Sequence, residues 1–122
     1  EMTIFITGDM GFLYDSNALW SHYVTPKLKI VVMCNDGGGI FRFIQGPSEL
    51  PELEEFFETY RQVDVEGFAR LHGFSCWSVF DEQALQNVLP AFFAEKESAS
   101  ILAIHTPRKV NDCILNGYFR RK

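Results

Sequence analysis

The chain reads as an α/β domain of three layers, a mostly parallel sheet with helices on both faces. Three observations predict it. Near-continuous apolar runs at residues 3–7 and 29–34 have the pattern of strands buried on both sides, and residues 74–79 and 100–105 read as two further strands. Stretches with helical spacing separate most of them, and turn residues punctuate the joins. The resulting alternation of strand and helix is the order that builds parallel sheets by crossover connections.

Taken in order, residues 3–7 form the first strand and residues 12–23 are mostly helix. Pro26 marks a break, and residues 29–34 form the second strand. A helix of about twelve residues covers about 18 Å, close to the length of a strand of five or six. The segment between the two strands therefore suffices to return the chain and let it climb again in parallel. Gly46, Pro47, Ser48 and Pro51 punctuate a loop after residues 41–44, and residues 52–60 read as a short helix. Val65, Phe68, Ala69 and His72 fall at the i, i+3, i+4, i+7 spacing of an amphipathic helix, with Gly73 as its C-terminal cap. Residues 74–79 are the third strand. Asp81 is placed to cap a helix whose apolar stripe is Leu85, Val88, Leu89, Phe92 and Phe93, and Pro90 inside it predicts a kink or a late break. Residues 100–105 are the fourth strand. Thr106 and Pro107 suit a helix cap and first turn, opening a last helix to about Phe119, with Arg120, Arg121 and Lys122 complementing its dipole.

Composition narrows the function. A length of 122 residues predicts one domain, residues 1–122. Apolar content of 47% and twelve Phe suit a packed core, and the net charge of −5 argues against a broad nucleic-acid or anionic-membrane surface. No apolar run reaches the length of a membrane span. Cys34, Cys76 and Cys113 show no metal or redox spacing and read as small buried or half-buried residues of a reducing, cytoplasmic compartment. His22, His72 and His105 lie on unrelated elements and read as structural, as do Trp20 and Trp77. Glu49, Glu52, Glu54, Glu55 and Glu58 read as a solvated acidic face.

The chemistry concentrates where the first two strands end. Gly8 and Asp9 follow the first, and Asn35, Asp36, Gly37, Gly38 and Gly39 follow the second. In neighbouring parallel strands, Asp9 and Asn35 share the carboxyl edge of the sheet, where ligands of open α/β folds bind. Magnesium takes oxygen ligands in an octahedral shell shared with substrate phosphates. Asp9 offers a carboxylate, Asn35 a carboxamide oxygen and Gly37 a backbone carbonyl. The amides after Asp9 and the bare backbone of residues 37–39 suit a diphosphate.

These motifs resemble the thiamine-diphosphate enzymes, which carry a Gly-Asp-Gly motif and a later Asn. The run from Gly8 to Leu19, with Tyr14, Asp15 and Asn17, and the run from Cys34 to Phe41 are more specifically similar to the menaquinone-pathway synthases of that group. The resemblance is sharp between Gly8 and Phe41. It implies a thiamine-diphosphate-binding fold and a chain that is the C-terminal diphosphate-binding domain, truncated at its N-terminal side, of a longer multidomain enzyme. Asp9, Asn35 and Gly37 would ligate Mg2+ or Mn2+. Gly8, Asp9, Met10 and Gly11 would line the diphosphate with Asn35, Gly37, Gly38 and Gly39, and Ile40 and Phe41 would lie near cofactor and substrate. Met10 stands in the third position in place of glycine, and Gly11 stands where these synthases usually carry serine. The implied reaction decarboxylates 2-oxoglutarate and adds the resulting carbon unit to isochorismate. The implied assembly is a homo-oligomer, dimer or tetramer, with the cofactor-activating carboxylate on another domain. No catalytic residue is therefore expected in this chain, which would be inactive alone. A missing half-domain would also leave apolar surface bare, with Phe12, Trp20, Phe43, Phe56 and Phe57 as candidates. Two other readings stay open: a different thiamine-diphosphate enzyme, such as a 2-oxo-acid decarboxylase or an acetolactate-synthase relative, and a non-enzymatic doubly wound interaction module.

Overall fold

The computed structural model describes residues 1–120. The chain divides into two compact units, residues 1–34 with 63–105, and residues 35–62 with the segment from 106 onward.

The first unit holds the whole sheet. Its strands are β1 (Thr3–Gly8), β2 (Leu28–Cys34), β3 (Ser75–Val79) and β4 (Ser100–His105), all parallel, in the order β1-β2-β4-β3. The helices are α1 (Asp9–Asp15), which runs into a 3-10 segment at Ser16–Trp20, then α2 (Val65–His72) and α3 (Glu82–Ala94). Alternation along β2 sorts the core. Ile30, Val32 and Cys34 face α1 and α2 with Phe12, Leu19, Val65, Ala69, Ile101 and Ala103. Val31 faces the other way, with Val79, Leu102 and the α3 residues Leu85, Val88, Leu89 and Phe92. Helices thus cover both faces, as expected. The chain steps from β1 to β2 and on to β3 with α1 and α2 on one face, and steps back to β4 with α3 on the other. A constant crossover hand requires that reversal.

Local signals explain the helix ends. The Asp64 carboxylate accepts from the Gly67 amide at 2.8 Å and that of Asp81 from the Ala84 amide at 2.7 Å, as N-caps do. Gly73 closes α2 at φ 74°, in the left-handed region that a side chain disfavours. The expected break at Pro90 does not occur, and α3 is continuous from Glu82 to Ala94. Phe92, fully buried and edge-on to Trp77 at 6.0 Å, anchors the turn beyond the proline. At the same end of α3, the buried Lys29 ammonium donates to the Glu95 carbonyl at 2.8 Å and to Ser100 Oγ at 2.9 Å. It ties β2, β4 and the helix C-terminus together.

Several expectations need correction. The first strand is not buried on both faces: β1 is an edge, and Ile4, Phe5 and Ile6 are 50%, 46% and 66% exposed. α3 reaches only the strands further in, and among the described residues no strand flanks β1 on its outer side. A cleft of about 530 Å³ runs beside Phe5, lined by Phe12, Tyr14, Ala18 and Leu28. Phe12 is core rather than bare surface, whereas Trp20 and Phe56 are exposed. Cys34 is buried and Cys76 partly so, but Cys113 is exposed.

The second unit consists of a 3-10 turn at Gly39–Arg42, another at Pro47–Glu49, a π-helical turn at Leu53–Phe57, and α4 (Asn111–Phe119). The short helix expected over 52–60 is thus a single wide turn. The expected opening of the last helix at Thr106 and Pro107 fails, because α4 begins at Asn111. Thr106 Oγ1 instead accepts from Asn111 Nδ2 at 3.0 Å, and a turn intervenes. Of the basic tail, Arg120 caps α4, while Arg121 and Lys122 lie outside the described residues. No helix among the described residues is long and apolar enough to cross a membrane.

Two outcomes follow from this packing. An apolar parallel edge is a template for strand addition, so the chain expressed by itself should self-associate, and Ile6→Lys should lower its weight-average mass in sedimentation while leaving the far-ultraviolet spectrum unchanged. The Glu95 carboxylate accepts from the amides of Glu97 (2.6 Å) and Ser98 (3.4 Å) and from Ser75 Oγ (3.2 Å). The Glu97 amide chiefly, with Ser75 and Ser98, holds it below the usual carboxylate range. Its folded pKa is lower than its unfolded one, so its contribution is present above the ordinary carboxylate value and is lost as pH falls through the folded value. Hydrogen exchange of the Glu97 amide should accelerate on acidification beyond the intrinsic pH effect, and Glu95→Gln should remove that excess.

Candidate functional site

In the first unit, β1 and β2 end level with each other. Gly8 aligns with Met33, and β2 closes one residue later at Cys34. Gly8 is the N-cap of α1, with extended φ −82° and ψ 166°. Asp9 is the first residue of the helix and is 2% exposed, and its Oδ1 accepts from the Met10 amide at 2.8 Å. A carboxylate seated this deeply on a sheet edge is a placed group rather than a surface charge. A Cβ at Gly11 would come within 2.7 Å of Thr7 Oγ1. The hydroxyl of Thr7 thus fills the space that a side chain at position 11 would enter.

The second unit carries Asn35, joined to Cys34 by the peptide bond, and the loop that follows. Asp36 has φ 62° and Gly37 φ 149°. A Cβ at Gly37 would lie 2.7 Å from the Glu58 carbonyl oxygen, and one at Gly39 would lie 2.6 Å from Asn35 Nδ2. Gly37 therefore requires glycine, since backbone fills the space beside it, whereas at Gly39 the end of the Asn35 carboxamide lies where a Cβ would go. The Gly37 carbonyl accepts from the Gly39 amide at 2.9 Å and the Gly38 carbonyl from the Phe41 amide at 3.2 Å. Gly38 donates to the Glu58 carbonyl at 2.7 Å, and Arg61 donates to the Asp36 carbonyl at 3.2 Å. Ile40 is 61% exposed, whereas Phe41 is half-buried and packs edge-on to Phe57 at 5.7 Å.

Behind this loop sits a cluster that the sequence reading assigned to solvent. Glu58 is 1% exposed. Its Oε1 accepts from Arg42 Nε at 2.9 Å and Arg108 Nε at 3.2 Å, and its Oε2 accepts from Arg42 Nη2 at 2.6 Å and Arg108 Nη2 at 2.8 Å. Both arginines grip it by two nitrogens, the strong geometry for a guanidinium and a carboxylate. Burial alone raises the Glu58 pKa, and the hydrogen bonds from Arg42 and Arg108 more than reverse that, leaving it below the usual range. Glu54 receives Arg42 Nη2 at 2.9 Å and Lys109 Nζ at 3.0 Å, and Arg42, then Lys109, holds its carboxyl down at about 2. The Arg108 guanidinium also lies over the Tyr60 ring at 4.8 Å. Glu49, Glu52 and Glu55 are exposed as expected, so the acidic face is real only in part. The four-residue spacing of Glu54 and Glu58 hinted at one shared face, but nothing local pairs them with arginines at 42 and 108.

Two of the remaining candidates, His105 and Cys76, sit in partly buried surroundings. His105 ends β4 and stacks on Phe80 at 4.4 Å, at an interplanar angle of 11°. Burial, then the charges of Glu66 and Asp64, pushes the Cys76 thiol up to about 11, away from nucleophile chemistry. Among the described residues no group of three or more His, Cys, Asp or Glu is placed to hold a metal. The donors at the motifs are one carboxylate, one carboxamide and backbone carbonyls. Each is by type an oxygen donor of the kind that a magnesium ion shared with phosphate takes, Asp9 in the first unit and Asn35 and Gly37 in the second, and the bare backbone at 37–39 suits the close approach of an anion.

No family model matches the chain. Among curated proteins, the chain is 47% identical over 117 residues to the 2-succinyl-5-enolpyruvyl-6-hydroxy-3-cyclohexene-1-carboxylate synthase of Porphyromonas gingivalis, covering 96% of this chain and 20% of that protein. It is 38% identical over 119 residues to the synthase of the same name from Christiangramia forsetii, covering 98% and 21%. The Flavobacterium psychrophilum synthase matches at 42% over 118 residues, covering 97% and 21%. The chain thus spans about a fifth of the length of the curated relatives it matches. As a segment of that length, it belongs to the 2-succinyl-5-enolpyruvyl-6-hydroxy-3-cyclohexene-1-carboxylate synthase family.

Proposed function

We propose that this chain is the part of such a synthase that holds a divalent cation and the diphosphate of thiamine diphosphate. The observation that carries the reading is the level ending of β1 and β2, followed at once by Asp9 and by Asn35. Asp9, Asn35 and Gly37 would ligate Mg2+ or Mn2+, and Gly8, Met10, Gly11, Gly38 and Gly39 would line the diphosphate. When bound, the cofactor supplies the electron sink for decarboxylating a 2-oxo acid. The chain's own work is then to bind and orient. Asp9 brings the one full charge, so the ion stays attractive to the diphosphate instead of being neutralised by protein. Asn35 and Gly37 add oxygens without adding charge, and the bare backbone of residues 37–39 lets phosphate oxygens come near. Ile40 and Phe41 would border the place where substrate meets the cofactor.

In the full-length protein the reaction would join 2-oxoglutarate to isochorismate, with loss of carbon dioxide, in menaquinone biosynthesis. The enzyme would be a cytoplasmic homo-oligomer, dimer or tetramer, whose other domains supply the activating carboxylate and the substrate anchors.

Two outcomes test this. In the full-length protein, Asp9→Ala should weaken magnesium-dependent binding of thiamine diphosphate by at least about 100-fold, since loss of a direct ligand exceeds the 10–100-fold typical of outer-shell changes. Calorimetry showing wild-type affinity would remove Asp9 from the metal site. The 122-residue chain alone should give no product from 2-oxoglutarate and isochorismate at any cofactor concentration, and turnover by it would contradict the division of labour.

A further inference from the structure

We propose that Glu58 is a positioning residue for the glycine loop, and that Arg42 and Arg108 act through it. This rests on the reading that residues 35–39 hold the metal and the diphosphate.

Two halves of one residue do different work. The Glu58 carboxylate is fixed by four nitrogens at 2.6–3.2 Å from two arginines. The Glu58 carbonyl receives the Gly38 amide at 2.7 Å and fills the space beside Gly37, where a Cβ would sit 2.7 Å from it. The clamp on the side chain therefore sets the position of the carbonyl, and the carbonyl sets the height and tilt of the Gly37–Gly38 backbone. The Arg61 amide on the Asp36 carbonyl (3.2 Å) makes the second rung of the same short ladder. The arginines come from both sides in sequence. Arg42 ends the 3-10 turn begun by the loop itself, and Arg108 precedes α4 and stacks on Tyr60, two residues beyond Glu58. One carboxylate thus links the loop, the segment at 58–61 and the approach to α4.

The charge balance suits this role. A loop meant for a diphosphate gains nothing from a buried acid behind it unless that acid is neutralised. Two guanidinium groups on Glu58, with Lys109 and Arg42 on Glu54, leave the cluster of five charged groups at one net positive charge. The cluster therefore positions the loop without repelling the anion the loop would carry.

The test uses the full-length protein with Glu58→Gln, which keeps the shape but presents a neutral group with one acceptor oxygen to two guanidinium forks. Arg108→Lys, which keeps the charge but loses the fork, gives a graded second variant. Affinity for thiamine diphosphate with magnesium should fall about tenfold in Glu58→Gln and less in Arg108→Lys. Hydrogen exchange of the Gly38 amide should accelerate at least tenfold in cofactor-free Glu58→Gln, while amides of β2 and β4 exchange as in wild type. A merely structural role would speed exchange throughout, in β2 and β4 as much as at Gly38. That outcome, or an unchanged Gly38 amide, would overturn the proposal. If the wild-type protein binds no thiamine diphosphate but Gly38 still loosens in the variant, the positioning role stands and the cofactor reading fails.

Discussion

Parallel pairing in register is the constraint on which the rest depends. β1 and β2 are matched from Thr3 against Leu28 to Gly8 against Met33, and only this register ends both strands at one level. A shift of one residue would turn Ile30, Val32 and Cys34 out of the α1 and α2 core and put Val31 in their place. The core therefore sets the register, and the register sets where the two motifs emerge. The side of the sheet remote from the site contributes as well, since Lys29 holds the end of α3 to β2 and β4 at the start of the same strands.

The second constraint is electrostatic and belongs to the other unit. A glycine-rich loop has little side chain of its own with which to be held. Here its support comes from backbone rungs to residues 58 and 61, and those rungs are anchored by the carboxylate between two arginines. Removing one partner of a buried pair costs about 3–5 kcal/mol because the other charge is left unpaired. Two guanidinium forks on one carboxylate make a rigid support, which suits a loop whose backbone geometry would be its function.

The fold was legible because its signals are local. The Val65–His72 periodicity with Gly73, the Asp81 cap and the apolar run at 100–105 name their elements without knowledge of neighbours, and the structure has them as read. Errors arose where a contact outside the local pattern decides. Pro90 broke a local rule that Phe92 packing overrode. Thr106 and Pro107 made a plausible cap, yet the Thr106 hydroxyl is engaged by Asn111 and the helix starts later. Apolar β1 read as a buried strand because hydropathy reports what a strand can bury, not whether a neighbour is present. At the motifs, residue types and spacing were visible, but Glu58 was not, because its partners lie 16 and 50 residues away.

These cases separate two kinds of candidate residue. As proposed ligands, Asp9 and Asn35 announce themselves because chemistry limits what can serve as an oxygen ligand, so the residue type itself carries information. Glu58 carries none by type, since an acid in a run of acids is ordinary surface until two arginines close on it. Its importance comes from where its carbonyl is held, a property of the backbone that any residue shares. Groups that touch a ligand are thus found by reading side chains, whereas groups that place the ligand's loop are found by asking which backbone atoms are held and by what. For a loop made of Gly37, Gly38 and Gly39, which have no side chains to read, the second question is the one that yields an answer.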